Sequence, residues 1–250
     1  MYRGSFTFLH FFTFKPLGQW LVKVMFMLKK PISVAVDGPV GAGKSSIARA
    51  AAKELGFIYV DTGALYRAVG LYCHRDGADM SSHEEIAKRI PGIHVEIRLI
   101  DGTQHIYLNG EDVSGEIRLP EISMAASAVS AVPAVRAALL DMQRNIAAEN
   151  NVIMDGRDIG TVVLPDARVK IFLTAAPEIR ARRRYDELCA KGVQTTFDEV
   201  LADLNKRDHD DSHRAVAPLR QAEDAVLADT SGLDFAQSCQ LVCDIIREKL

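Results

Sequence analysis

Residues 38–45 read Gly-Pro-Val-Gly-Ala-Gly-Lys-Ser, a match to GxxxxGK[ST], and no other stretch of the chain restricts its fold so tightly. The pattern carries meaning when a strand runs into it and a helix runs out of it. Both contexts are present. Ile32 to Asp37 is a short apolar, β-branched run, and Ser46 to Leu55 reads as helix. A loop that wraps a phosphate must turn successive N–H groups inward, through backbone conformations barred to most residues. Gly38, Gly41 and Gly43 supply that freedom, with Pro39, Val40 and Ala42 between them. Lys44 can reach the outer phosphates of a nucleoside triphosphate, Ser45 can ligate Mg²⁺, and the helix N-terminus at Ser46 adds partial positive charge. A glycine-rich turn that binds nothing is the bland alternative, and the strand–loop–helix context weighs against it.

From Pro31 onward short β-branched runs alternate with helical stretches, the signature of βαβ units and a parallel sheet covered on both faces. Five strands are expected: Ile32 to Asp37, Ile58 to Asp61, Val152 to Asp155, Val169 to Leu173 and Ala225 to Asp229. The fold class is therefore α/β, a P-loop fold with a five-stranded parallel sheet and helices on both faces. Most of these strands end on a polar residue, so the ligand belongs at their carboxyl ends. Asp155 closes its strand and is the second candidate Mg²⁺ ligand, directly or through water. Asp37 also closes a strand and competes for that role, but its place at the entrance of the loop favours a structural hydrogen bond.

The stretch between the second and third strands is too long for one crossover. Val95 to Ile100 and Gln104 to Leu108 alternate as antiparallel strands do, and Asp101-Gly102 between them is a hairpin signal. Asn109-Gly110 offers a second turn before Val113. A small antiparallel sheet is thus expected as an insertion, followed by helix over Ala125 to Val129 and over Pro133 to Asn150.

The chain has 250 residues, 48% hydrophobic and 25% charged, enough for a full core with small appended lobes. A formal net charge of −3 argues against general attraction to a nucleic-acid polymer or an anionic membrane. An anionic ligand must then be met by clustered arginines. The four cysteines, Cys73, Cys189, Cys239 and Cys243, form no CxxC pair and no dense framework, which fits a reducing cytoplasm. Cys239 and Cys243 lie one helical turn apart and are read as core packing. The first thirty residues are rich in Phe and Leu and lack any acid, but lysines and Pro16 break their apolar runs below membrane-spanning length. They read as an extension outside the fold, either from a start assigned ahead of Met25 or Met27 or as a weak amphipathic segment; the first reading is preferred.

Asn205-Lys-Arg-Asp208 satisfies the NKxD pattern that reads guanine, but that motif follows a core strand. Here Phe197, Val200, Leu201 and Leu204 are spaced as one face of a helix running into it. Arg207 is better read as an active-site arginine. Arg180, Arg182, Arg183 and Arg184 crowd one helical run, where most are expected on a solvated face and some on a lid closing over triphosphate.

Four further motifs, Asp61-Thr-Gly-Ala-Leu-Tyr-Arg67, Gly110-Glu-Asp-Val-Ser-Gly-Glu-Ile-Arg118, Asp155-Gly-Arg-Asp-Ile-Gly-Thr161 and Arg214-Ala-Val-Ala-Pro-Leu219, resemble the bacterial cytidylate kinases in identity and order. The resemblance runs from about Ile32 to the C-terminus. It implies ATP and CMP or dCMP as substrates, with ATP on Gly38 to Ser46 and catalysis by Lys44, Arg157 and Arg214. It implies CMP on Thr62, Tyr66 and Arg67, its phosphate on Arg67, Arg157 and Arg214, its base on Ser127, Arg136 and Asp158, and its ribose on Arg207 and Asp211. It further implies a core of 31–63, 150–179 and 216–250, a monophosphate-binding lobe of 64–149, a lid of 180–215, and a cytoplasmic monomer without a polymer or membrane partner. The acidic, histidine-bearing segment 207–214 stands where some relatives carry extra arginines, so His209 and His213 are given no catalytic role. A kinase for another small acceptor and a nucleotide-binding switch are the competing readings, and the arginine-bearing acceptor motifs count against both.

Overall fold

Five parallel strands lie in the order β2-β6-β1-β7-β8: β1 Ser33–Asp37, β2 Ile58–Asp61, β6 Val152–Gly156, β7 Val169–Thr174 and β8 Val226–Asp229. The computed structural model describes residues 30–100 and 103–250. The N-terminal segment and the Asp101-Gly102 turn lie outside the described residues. β1 is flanked on both sides by neighbours, and four of its five residues are buried, as a strand with helices on both faces must be.

The helices are α1 Lys44–Leu55, α2 Thr62–Arg75, α3 His83–Arg89, α4 Pro120–Ser130, α5 Pro133–Glu149, α6 Pro177–Ala190, α7 Phe197–His213 and α8 Phe235–Lys249. Local chemistry sets their ends. Thr196 with Glu199 opens α7, and Asp234 with Gln237 opens α8, each as a reciprocal capping box that satisfies two otherwise orphaned N–H groups. Asp61 caps α2 by accepting from the Ala64 N–H at 3.0 Å. Residues 205–208 fall inside α7 and not after a strand, which disposes of the guanine-reading pattern. No single described helix is long and apolar enough to cross a membrane.

One apolar cluster joins α1 and α8 to one side of the sheet, and another, including Val60, Met154 and Ile159, covers the opposite side. A third, built from Leu65, Leu71, Ile86, Ile106, Ile117, Ile122 and Val135 among others, belongs to the insertion. In that insertion β3 Val95–Ile100, β4 Thr103–Leu108 and β5 Glu111–Asp112 pair antiparallel in sequence order. Asn109 and Gly110 take φ of 49° and 86° between β4 and β5, the left-handed pair that a two-residue hairpin turn needs. The sheet is tied to the core by Gln104. Its Oε1 accepts from the Asp61 N–H at 2.8 Å and its Nε2 donates to the Asp61 carbonyl at 3.2 Å, so one side chain continues the ladder at the β2 edge.

The observed elements differ from the expected ones chiefly in α4, which starts at Pro120 and not at Ala125. Pro120 suits a first helical turn, where no N–H is needed. α4 packs on α2 through Gly70, where a Cβ would lie 2.9 Å from the Ala126 nitrogen and 3.0 Å from the Ala125 carbonyl carbon. Backbone cannot yield as a flexible side chain does. Gly70→Ala should therefore lower unfolding stability by about 1–3 kcal/mol despite its better helix propensity, read as a lower urea midpoint; an unchanged or higher midpoint would show that α4 gives way freely.

Candidate active site

The chain passes from β1 to β2, skips back to β6 between them, and then crosses β1 to reach β7. Such a reversal opens a crevice at the carboxyl ends of the strands. Asp37 pairs in register with Gly156, and Asp61 with Asp155, so β1, β6 and β2 end at one level and release three loops side by side.

The loop after β1 is shaped by close approach. Gly38 has φ 150°, and a Cβ there would lie 1.9 Å from the Leu173 carbonyl oxygen, so no other residue fits. Gly43, at φ 86°, starts α1, and Ala42 beneath it is buried. Lys44 is buried, and its Nζ donates to the Pro39 carbonyl at 2.7 Å across the loop. Burial, reinforced by the nearby Arg157 charge, pulls the Lys44 pKa down to about 7 against the pull of Asp155, Asp211 and Asp37. Ser46 is exposed at the start of α1.

Ser45 Oγ donates to Asp155 Oδ2 at 2.8 Å, and the Tyr59 hydroxyl donates to Asp155 Oδ1 at 2.9 Å. Burial, then the neighbouring Asp61, raises the Asp155 pKa. The described residues contain no cluster of three or more His, Cys, Asp or Glu side chains able to cage a metal ion. A hydroxyl beside one carboxylate suits Mg²⁺ nonetheless, because this hard cation takes one or two protein oxygens and fills its other positions with phosphate and water.

Beyond β6, Asp37 accepts from the Ile159 N–H at 2.8 Å and the Gly160 N–H at 2.7 Å, fixing the π-helical turn Ile159–Val163. Arg157 and Asp158 stand just ahead of that turn. Asp158 is bonded to Arg136 of α5, and its other oxygen faces Arg214 Nη2 at 3.4 Å. Arg157 Nε donates to Asp211 Oδ2 at 2.6 Å, and Asp211 Oδ1 lies 3.8 Å from Arg214 Nη1. Burial works against the Arg157 charge, but Asp211 overrides it and raises the pKa; Arg157 in turn overrides burial at Asp211 and lowers that pKa. Burial and Arg136 together lower that of Arg214. Ala217 takes φ 50°, a strained value for a residue with a Cβ, and its carbonyl accepts from Arg214 Nε at 2.6 Å.

On the β2 side, the Thr62 hydroxyl donates to the Asp155 carbonyl at 2.7 Å, and the Tyr66 ring lies 5.5 Å from the Arg136 guanidinium. Asp61 Oδ2 faces Arg118 Nη2 at 3.2 Å and Arg67 Nη1 at 3.7 Å. Two expected residues are tied to the cluster less directly. Among the described residues Ser127 joins the cluster only through its turn: the Ser130 hydroxyl donates to its carbonyl, and the Ser130 carbonyl accepts from Arg136 at 3.4 Å. Arg207 faces Asp203, one turn back along α7, at 3.8 Å.

Residues 34–248 match the cytidylate kinase family profile. The chain belongs to the cytidylate kinase family. A Mycobacterium leprae cytidylate kinase is 48% identical over 219 residues, spanning 87% of this chain and 96% of its own. One from Caldicellulosiruptor bescii is 46% identical over 216 residues, spanning 86% and 96%. Among solved structures, a shikimate kinase from Bacteroides thetaiotaomicron is similar at 14% identity and a TM-score of 0.44, covering 86% of this chain and 98% of that one. As a member of the cytidylate kinase family the chain is a nucleoside monophosphate kinase, a phosphotransferase.

The arginine run of α6 departs from the expected solvated face. Arg180 is buried against the phosphate loop, and Arg183 donates to the Thr230 and Leu233 carbonyls at 2.7 and 3.3 Å. Gln104 and Tyr59 also reach the site's framework with no motif behind them, and Arg118 and Asp208 do so although the motifs that contain them gave them no role there. For Asp208 a signal existed: it continues the buried stripe Val200, Leu204 at the same spacing of four.

Asp37 links burial to pH. Burial outweighs the bonds from Gly160 and Ile159 and raises its pKa from 3.8 to about 6. Between those two values the folded chain keeps a proton that the unfolded chain has released, so this contribution is complete below 3.8 and lost as pH rises through 6. The stability gap between wild type and Asp37→Asn, measured by urea unfolding from pH 4 to 7, should shift by about 2–3 kcal/mol in favour of wild type at the acid end; a constant gap would contradict it.

Proposed function

We propose that the chain moves the γ-phosphoryl group of ATP onto CMP or dCMP, giving ADP and CDP or dCDP, by direct in-line transfer. The observation that carries this reading is the continuous charge chain Arg136–Asp158–Arg214–Asp211–Arg157, which ends beside the Lys44–Ser45–Asp155 cluster. A donor loop and an acceptor cluster with matched charges in one crevice are what phosphoryl transfer requires, since the protein's task is positioning and charge neutralisation.

Lys44 and the loop amides bind the donor phosphates. Arg67, Arg157 and Arg214 hold the acceptor phosphate, and bidentate guanidinium contacts fix its orientation while offsetting its charge. An ionised oxygen of that phosphate attacks the γ-phosphorus, the bond from the γ-phosphorus to the β–γ bridging oxygen breaks, and the electron pair leaves with ADP. No general base is needed, because the attacking oxygen already carries its charge near neutral pH. Mg²⁺ held by Ser45 and Asp155 would offset the negative charge of the donor phosphates.

Asp158, oriented by Arg136 and Arg214, accepts from the 4-amino group of cytosine. Uracil would set an oxygen against that carboxylate, a penalty of about 1–3 kcal/mol in a buried site. Ser127 completes the base contacts, Arg207 and Asp211 those of the ribose, and Thr62 and Tyr66 the pocket wall. We assign 31–63, 150–179 and 216–250 to the core, 64–149 to the acceptor lobe and 180–215 to a lid; the insertion's own apolar cluster supports this division. We assign the chain to the cytoplasm as a monomer, as the family resemblance implies.

Coupled ADP release with ATP and Mg²⁺ tests the reading against CMP, dCMP, UMP and AMP, for wild type and Asp158→Asn. Wild type should prefer CMP and dCMP over UMP by about 10-fold or more, and Asp158→Asn, which offers an amide donor to uracil, should narrow that ratio by a similar factor. ADP formed equally without any monophosphate, or only with UMP or AMP, would contradict the assignment.

A further inference from the structure

The tip of the phosphate loop is gripped from outside by two charged side chains. The Val40 N–H donates to Asp208 Oδ1 at 3.0 Å, and the Val40 carbonyl accepts from Arg180 Nη1 at 2.8 Å. Arg180 Nη1 also donates to Asp208 Oδ2 at 2.5 Å, and Arg180 Nε to the Ala175 carbonyl at 2.8 Å. Arg180 is only 4% exposed. The fit leaves no slack, since a Cβ on Gly41 would lie 3.3 Å from Arg180 Cβ and 3.6 Å from Leu204 Cδ1.

A carboxylate on an anion-binding loop works against the loop's own charge preference unless a cation neutralises it, and Arg180 does so. Bulk packing between α6, α7 and the loop does not require this arrangement; an apolar pair would fill the same space without two charges to match. The arrangement instead specifies one seating of α7. Asp211, which binds Arg157, lies three residues beyond Asp208 on the same helix, and Arg214 follows at its end. One rigid element therefore runs from the tip of the donor loop to the acceptor cluster.

We propose that Asp208, together with Arg180, is a positioning residue for phosphoryl transfer: it seats α7 on the donor loop through the Val40 peptide, so that Asp211 and Arg214 stand at a fixed distance from the γ-phosphate. The inference rests on the transfer reaction proposed above. Neither residue touches a reacting atom. Their effect is on how the two phosphates are held relative to one another, and a displacement of an ångström in such a site is worth about 100-fold in rate. A loosened α7 also admits water beside the donor phosphate, so ADP release without CMP should gain on transfer.

The test uses the full chain with Asp208→Ala, Asp208→Asn and Asp208→Glu. CMP affinity is measured by calorimetry without ATP, CDP formation and ADP release are measured separately, and urea midpoints report folding. The Ala and Asn variants should lose kcat by about tenfold or more at saturating substrates and release more ADP per CDP formed, with a loss of CMP affinity clearly smaller than the loss of kcat. Asp208→Glu, which keeps the charge, should recover part of the rate. Asn, close to isosteric, keeps the test open if Ala folds poorly. A folded Asn variant with kcat within twofold of wild type and unchanged ADP-to-CDP ratio would overturn the proposal, as would a loss of CMP affinity equal to the loss of kcat. Wild type making no CDP at all would overturn the transfer reading itself, and the clasp with it.

Discussion

Arg136 and Arg214 share the carboxylate of Asp158 where side-chain exposure is 9%, 8% and 5% respectively. Ions withdrawn so far from water persist only when each has a partner, and removal of one leaves the others uncompensated. The rest of the site is arranged around that condition. Arg214 extends the pairing to Asp211, Asp211 extends it to Arg157, and Arg157 in turn weighs on Lys44. Burial first, and then the Arg157 charge, lower the proton affinity of Lys44 against the opposing pull of Asp155, Asp211 and Asp37.

The fold supplies the means of bringing these charges together. Beyond Ser33 at the start of β1, each participating strand carries mainly apolar residues until its last one or two, where Asp37, Asp61 and Asp155 stand. Sheet order then makes neighbours of segments distant in sequence, so that Ser45 meets Asp155 and Asp37 meets the amides of Ile159 and Gly160. The insertion touches the same region at Asp61 through Gln104 of its sheet and Arg118 of the short turn that follows it. It thereby braces the β2 edge from which Thr62, Tyr66 and Arg67 lead into the crevice.

Local chemistry was readable from the residues alone, and long-range pairing was not. The phosphate loop declared itself because glycine spacing, lysine and flanking elements are all local, and the five strands were legible as apolar runs closed by polar residues. The Asn109-Gly110 turn was legible for the same reason. Asp208 was legible only in part: its spacing continues the buried stripe of Val200 and Leu204, but its partners, Val40 and Arg180, lie far away in sequence and its own neighbours spell an unrelated motif. The burial of Arg180 was hidden likewise: a run of arginines on a helix suggests solvent, and only the packing of α6 against the loop shows which one turns inward. The family resemblance, and not any motif containing all three, assigned Arg136, Asp158 and Arg214 to one ligand. Their mutual pairing depends on three separate elements, and no pattern in any one of them contains it.

If donor and acceptor sites form one crevice with their phosphates held in line, a compound joining adenosine to cytidine through a pentaphosphate should engage both at once. Titration calorimetry of the wild-type chain should then show it binding about 100-fold or more tighter than ATP or CMP alone, because the second half binds at high effective concentration. Affinity no better than that of ATP, with CMP still able to bind the occupied protein, would mean that the two sites are separate and that the arginine cluster does not serve an acceptor beside the phosphate loop.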